Sequence, residues 1–89
     1  MELNVLAVGD VVSQAGLDFL ERRLPRLKRE LGVHFTVVNG ENAAGIGLLP
    51  RQAEAILDSG ADVVTLGNHT WSKLQIADYL DDAPCVLRP

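Results

Sequence analysis

Short polar clusters directly follow three hydrophobic runs of this sequence. The clusters are Gly9-Asp10, Asn39-Gly40-Glu41-Asn42 and Gly67-Asn68-His69. In an open α/β sheet the carboxyl ends of parallel strands form one rim, and ligands bind there. We therefore expect the polar side chains of the clusters to converge in space: Asp10, Glu41, Asn42, Asn68 and His69. Carboxylate, amide and imidazole donors together suit Mn, Fe or Zn.

Each candidate side chain also has a purely structural interpretation. Asp10 precedes a helical stretch, so it would form an Asx turn or cap that helix rather than act as a metal ligand or general base. Glu41 would be a solvated loop carboxylate, although its place between two asparagines suits packing and capping poorly, and a buried charge needs a partner or a metal. His69 would be structural or solvated, although perturbed titratable groups concentrate in such clefts.

The hydrophobic runs predict four strands. They cover residues 3–8 (LNVLAV), 33–38 (VHFTVV), 61–66 (ADVVTL) and 84–87 (PCVL). The first run is apolar except for Asn4, which predicts a strand buried on both faces. Helical stretches separate the runs, so the pattern is βαβαβαβ. This order predicts an α/β fold with a parallel sheet, flanking helices and right-handed crossovers.

The first helix is predicted from about Ala15 to Leu31. Its apolar face is marked by leucines at spacings of three and four, namely Leu17, Leu20, Leu24, Leu27 and Leu31. Pro25 lacks a backbone donor and should kink or break the helix near Leu24. Gly32 fits the left-handed residue that ends such a helix.

The second and third helices have their own boundary signals. Pro50 fits the first turn of the second helix, and Gly60 fits the position just after its end. Gln75 lies three residues after Ser72, a spacing that predicts a capping box for the third helix. That helix is expected to end near Leu80.

Composition narrows the classes of partner. A chain of 89 residues forms one domain at most, and its 47% hydrophobic and 4% aromatic residues indicate an aliphatic core. The net charge of −4 argues against a long nucleic acid as partner. The apolar runs are too short to cross a bilayer, and a signal peptide is not recognisable. The single cysteine, Cys85, cannot form an internal disulfide, so the cytoplasm is the expected compartment.

Other candidate residues are less specific. Residues 43–47 (AAGIG) match neither common phosphate-binding glycine motif, so a phosphate loop and a flexible connection are equally consistent. Trp71 would wall a nucleobase site or, as we favour, pack over the third helix. His34 is expected at the surface, and Cys85 is expected to be a small core residue.

Taken together, the motifs resemble those of the calcineurin-like metallophosphoesterases, and within them the bacterial YmdB-type dimetal phosphodiesterases. The similarity is carried by Gly9-Asp10-Val11-Val12, Asn39-Gly40-Glu41-Asn42-Ala43-Ala44-Gly45 and Gly67-Asn68-His69-Thr70-Trp71. Val12 stands where the wider superfamily has histidine, which fits the YmdB-type branch. The resemblance implies that residues 1–89 are the N-terminal portion of an α/β/β/α sandwich.

The resemblance also implies a role for each site residue. Asp10 would bind one metal, and Asn68 would bind a second. Glu41 would bridge both metals, at a position where the wider superfamily usually has aspartate. Asn42 would bind metal or substrate. His69 would serve the leaving group or the phosphate during catalysis.

The implied function is a cytoplasmic phosphodiesterase that hydrolyses small phosphodiesters, including 2′,3′-cyclic nucleotides. Its cofactors would be two divalent metal ions, with Fe or Mn ahead of Mg or Zn. Family members are longer and supply further histidine ligands, so this chain would carry about half of the site and be inactive alone. The alternative is a non-catalytic, truncated α/β fragment that forms homo-oligomers through an uncovered sheet face.

Overall fold

A computed structural model of the chain describes residues 2–88. It contains a four-stranded parallel sheet in the order β1-β2-β3-β4. The strands are β1 (Val5–Val8), β2 (Phe35–Asn39), β3 (Val63–Thr65) and β4 (Val86–Leu87). The helices are α1 (Ser13–Leu31), α2 (Pro50–Asp58) and α3 (Ile76–Asp82), with a 3₁₀ turn over Thr70–Ser72. The predicted βαβαβαβ architecture is confirmed.

All three helices contribute to one core on one face of the sheet. Strand residues on that face include Val38, Val64 and Val86, which stand side by side in the register and are buried. They pack in the same cluster as buried helix residues, namely Leu17, Leu20, Leu24, Ala53, Ile56 and Ile76. Each crossover joins neighbouring strands in the same direction, so a constant right-handed connection places every helix on the same side.

The opposite face of the sheet is open. Val5 lies beside Phe35 in the register, and their exposed fractions are 62% and 43%. Leu87 is also exposed on this face. The prediction that β1 is buried on both faces is therefore wrong, because the described residues supply no helix to cover the second face.

Helix α1 runs without interruption through Pro25. The predicted break near Leu24 is wrong, and the alternative of a kink stays a prediction. The carbonyl deprived of a donor is that of Glu21, an exposed residue, so water can reach it. Gly32 ends the helix with φ 60°, as predicted. Leu31 is exposed, so the buried leucine stripe is shorter than expected.

The boundaries of α2 agree with the prediction, whereas the start of α3 does not. Pro50 begins α2 as predicted, and Gly60 follows its end with φ 122°. The capping box predicted for Ser72 and Gln75 is wrong, because Ser72 closes the 3₁₀ turn and α3 begins at Ile76 without a side-chain cap. The 3₁₀ turn occupies the position where α3 was predicted to start, so the helix begins later in the chain.

A tyrosine connects the last two helices. The Tyr79 hydroxyl on α3 donates a hydrogen bond of 2.9 Å to Glu54 Oε1 on α2. Partial burial, together with that hydrogen bond and the charge of Glu54, raises the pKa of Tyr79 to about 12. Within residues 2–88, no helix is long and apolar enough to cross a membrane.

Candidate functional site

The three polar clusters lie at one rim of the sheet. Asp10 follows the end of β1 at Val8, and Glu41 follows the end of β2 at Asn39. Asn68 lies in the loop after β3. Because β1, β2 and β3 are parallel neighbours, their carboxyl ends meet at the same edge. The shared rim expected from the sequence is present.

Asp10 and Asn42 form the first contact pair of the rim. Asn42 Nδ2 donates to both carboxylate oxygens of Asp10, at 3.1 and 3.0 Å. Asn42 Oδ1 is buried and has no hydrogen-bond partner among the described residues. The backbone holds the pair in place, since the carbonyl of Asn42 accepts the N–H of Ser13 at 3.0 Å.

Ser13 adopts a left-handed backbone conformation at the start of α1, with φ 61°. For a residue with a Cβ this conformation costs about 1–2 kcal/mol. Its hydrogen bond to Asn42 helps to hold it. Strain of this kind concentrates at functional sites, where the surrounding contacts maintain it.

Glu41 and His69 form the second contact pair. Glu41 Oε2 accepts the backbone N–H of His69 at 3.1 Å and lies 3.4 Å from His69 Nδ1. The Glu41 side chain is only 13% exposed, whereas that of His69 is 41% exposed. His69 Nδ1 is buried without a hydrogen-bond partner in the described structure. A protonated imidazole would therefore face the Glu41 carboxylate directly.

Asn39 has a role at this rim that the sequence interpretation did not assign. Its Oδ1 accepts the backbone N–H of Glu41 at 3.0 Å, which fixes the turn that carries Glu41 out of β2. An asparagine at the last position of a strand is a recognisable signal for such a turn.

Asn68 stands apart from the two contact pairs. It is exposed, and its side chain makes no hydrogen bond to any other described residue. Its loop is closed by Thr70, whose N–H and hydroxyl both donate to the carbonyl of Gly67, at 3.2 and 2.5 Å. The structure thus places Asn68 at the rim without a side-chain hydrogen bond to the other candidates among the described residues.

The rim carries two pairs rather than a closed ligand cage. Among residues 2–88, no group of three histidine, cysteine, aspartate or glutamate side chains is close enough to hold a metal ion. The Asp10–Asn42 and Glu41–His69 pairs are linked through the Glu41–Asn42 peptide. Further ligands would be required for a complete site.

The less specific candidates have structural roles. Residues 43–47 use their own N–H groups internally, since Gly45 donates to Asn42 and Ala44 donates to Gly47. That pairing leaves fewer donors for a phosphate. His34 is exposed, as predicted, and its Nδ1 accepts the N–H of Asn4 at 3.0 Å at the opposite rim.

Two further candidates lie at the surface. Cys85 is exposed, so its prediction as a core residue is wrong; it immediately precedes the short edge strand β4 and lies outside the buried cluster. Trp71 is 51% exposed, and the Arg88 guanidinium lies 5.8 Å from its ring centroid. Its predicted packing over the third helix stays a prediction.

An apolar groove borders Asp10. It has a volume of about 260 Å³ and runs between α1 and the end of β1. Its walls include Val8, Phe19, Leu20, Arg23 and Leu24. Phe19 is exposed, with the Arg22 and Arg23 guanidinium groups 5.9 and 5.5 Å from its ring centroid.

The profile of a protein family described as YmdB-like matches residues 6–89 of this sequence. The match covers nearly the whole chain, including all three polar clusters of the rim. The chain belongs to the YmdB-like family. The resemblance expected from the motifs is thereby confirmed.

Relatives of the chain carry phosphoesterase names. The chain is 46% identical over 88 residues to a 2′,3′-cyclic-nucleotide 2′-phosphodiesterase of Bacillus subtilis (strain 168), covering 98% of this chain and 33% of that protein. The described fold is similar to the crystal structure of a phosphatase from Mycoplasma pneumoniae, with a TM-score of 0.87 and 30% identity.

A second solved structure has the same arrangement. A protein from Thermus thermophilus matches with a TM-score of 0.83 and 34% identity, covering 96% of this chain and 33% of that one. The Mycoplasma match covers 98% and 31%, respectively. The chain therefore spans about a third of the length of these proteins.

Proposed function

We propose that this chain is the N-terminal portion of a metal-dependent phosphodiesterase, whose rim supplies about half of a dimetal site. The observation that carries the proposal is the pair of buried polar atoms, Asn42 Oδ1 and His69 Nδ1, that have no hydrogen-bond partner among residues 2–88. A buried polar atom without a partner is costly and calls for a water or an ion. Both atoms belong to side chains that contact a rim carboxylate.

The donor set fits divalent cations. Asp10 and Glu41 would supply carboxylate oxygens, and Asn68 an exposed amide oxygen. Asn42 presents its amide nitrogen to Asp10 and keeps its amide oxygen free for a cation. Oxygen-rich donors completed by imidazoles from a longer protein suit Fe or Mn, ahead of Mg or Zn.

The residues of the chain have distinct parts in the proposed hydrolysis. The cations, when bound, would polarise the phosphoryl group and activate a water for in-line attack. His69 is partly exposed at the rim, where its imidazole can reach a leaving oxygen and donate a proton or stabilise the charge. Glu41 holds the backbone of His69 through the N–H at 3.1 Å and so orients it.

The proposed substrates are small phosphodiesters, including 2′,3′-cyclic nucleotides. The support is the name of the Bacillus subtilis relative and the identity of 46% over this segment. The net charge of −4 argues against a long nucleic acid as substrate, which favours a small molecule.

The function is tested by assaying the full-length gene product, supplied with Mn or Fe, against bis-p-nitrophenyl phosphate and a 2′,3′-cyclic nucleotide. Glu41→Ala is expected to abolish hydrolysis of both and to lower the metal content. His69→Ala should retain most of the metal but hydrolyse the cyclic nucleotide about 10²–10⁴ times more slowly. The nitrophenyl ester should be affected less, because its leaving group departs without a proton.

His34→Ala is the matched control, because His34 is the other histidine and lies at the opposite rim. It should leave both activities unchanged. Full cyclic-nucleotide activity in His69→Ala would remove His69 from the mechanism. Unchanged metal content in Glu41→Ala would remove Glu41 from the metal site.

A further inference from the structure

The Glu41 carboxylate lies against the backbone of the loop that follows β3. Its side chain is only 13% exposed, and it accepts the N–H of His69 at 3.1 Å. The carboxylate therefore extends from the exit of β2 to the exit of the neighbouring strand, a separation of about 4.8 Å between strand axes. Something in the β3 loop must leave room for it.

Gly67 provides that room. A Cβ at this position would overlap both carboxylate oxygens of Glu41 and lie 2.6 Å from its Cδ. Gly67 is not among the glycines with positive φ, so its backbone conformation is open to other residues. Space for the Glu41 carboxylate, rather than backbone conformation, is thus what requires glycine here.

Gly9 provides an internal comparison. It also follows a strand of the same rim, directly before Asp10, and it too lacks a positive φ. A Cβ on Gly9 would meet no atom within 4 Å outside its two chain neighbours. The two glycines share a setting at a strand exit, but only at Gly67 would a Cβ overlap a candidate metal ligand from another segment.

We propose that Gly67 is a positioning residue for Glu41: the missing side chain leaves the volume in which the carboxylate lies between the two strand exits. In that volume Glu41 holds the His69 backbone and would supply carboxylate oxygens to the proposed metal site. The proposal rests on the proposed function for the part that concerns metal. The contact itself stands on the structure alone.

The test uses the full-length gene product and two measurements, Mn²⁺ titration by calorimetry and thermal melting of the metal-free protein. Gly67→Ala should weaken Mn²⁺ binding at least tenfold, whereas Gly9→Ala should change it less than twofold. Gly67→Ala combined with Glu41→Asp should recover part of the affinity lost in Gly67→Ala, because the shorter carboxylate no longer meets the added methyl group. A general folding defect would not be rescued in this way.

Melting tests the contact without metal. Gly67→Ala should lower the melting temperature of the wild-type chain but have little effect in a Glu41→Ala background, where the carboxylate is absent. If Gly67→Ala fails to fold, recovery of folding in the double variant supports the contact, and failure of the double variant overturns it.

The other possible results distinguish a failure of the Gly67 proposal from a failure of the proposed function. Equal Mn²⁺ affinity in Gly67→Ala and wild type, or equal losses in Gly67→Ala and Gly9→Ala, would overturn the positioning role. An equal drop in melting temperature with and without the Glu41 carboxylate would overturn the contact. A wild-type protein that binds none of Mn²⁺, Fe²⁺, Mg²⁺ and Zn²⁺ overturns the proposed function, whereas the melting cycle still decides whether Gly67 makes room for Glu41.

Discussion

Asp10 illustrates how structure separates two interpretations of one residue. As a carboxylate before a helix, it is a natural candidate for an N-cap. Yet α1 has Val12 at its cap position and no side-chain cap hydrogen bond. The Asp10 carboxylate instead accepts two hydrogen bonds from Asn42. Capping is therefore not its role, and its proposed role as a metal ligand stands without that competitor.

The Asp10–Asn42 pair yields a prediction at this scale. In Asn42→Asp, two carboxylates would face each other at about the present contact distance and would repel when both are ionised. We expect the metal-free full-length protein to lose about 1 kcal/mol at pH 7, a drop in melting temperature of about 2–4 °C. Because protonation of either carboxyl group relieves the repulsion, the loss should shrink as the pH falls towards about 4. Excess Mn²⁺ should also reverse it.

Asn42→Ala is the control for this variant, because it removes the hydrogen bonds to Asp10 without adding a charge. Its loss of stability should not depend on pH in the same range. An Asn42→Asp variant whose melting temperature responds to neither acid nor Mn²⁺ would contradict the charge argument.

At the scale of helices and strands, Pro25 lies in the interior of α1, where it removes one backbone N–H donor from the helix. Pro25→Ala should raise the free energy of unfolding, since proline costs about 3 kcal/mol in a helix interior. Loss of the proline's constraint on the unfolded chain offsets about 0.4–1 kcal/mol. A net gain of about 2 kcal/mol, measured by urea denaturation, is the expected result.

Pro50→Ala is the matched control, because Pro50 begins α2, where a backbone N–H has no partner within the helix. Its effect on the free energy of unfolding should be close to zero or slightly negative. Equal effects of the two substitutions would show that α1 has adapted to Pro25 without cost.

The elements also show how far the sequence can predict this fold. Hydrophobic runs and polar strand exits suffice for the parallel sheet and for the rim that holds Asp10, Glu41 and Asn68, because parallel pairing fixes which ends meet. The start of α3 and the contact of Gly67 with Glu41 could not be predicted from the sequence in this way. They depend on loop turns and side-chain conformations between segments distant in sequence, which no local pattern encodes.

At the scale of the whole molecule, the helices lie on one face of the sheet, and Val5, Phe35 and Leu87 are exposed on the other. In the proposed longer enzyme a second sheet would cover this face. For residues 1–89 alone, the alternative interpretation as a self-associating fragment applies, because exposed apolar faces and unpaired strand edges promote association.

Residues 1–89 alone are therefore expected to self-associate through this face. Phe35→Ser should shift the chain towards monomer in sedimentation velocity, because Phe35 lies on the open face of β2. Phe19→Ser is the matched control: Phe19 is similarly exposed, but on helix α1, and its substitution should leave the association unchanged. Monomeric wild-type protein at high concentration would refute association through the sheet.

The strand order has a consequence for how the chain is made. Each strand pairs with the next one along the sequence, so the sheet can grow in one direction as the polypeptide leaves the ribosome. Every added strand-helix unit finds its docking partner already synthesised, but parallel pairing between residues as far apart as Val5 and Phe35 is intrinsically slow. During this growth the open apolar face is exposed to solvent before any segment that could cover it has been synthesised. Translation speed and chaperone supply should thus govern the yield of this protein more than the intrinsic stability of its core.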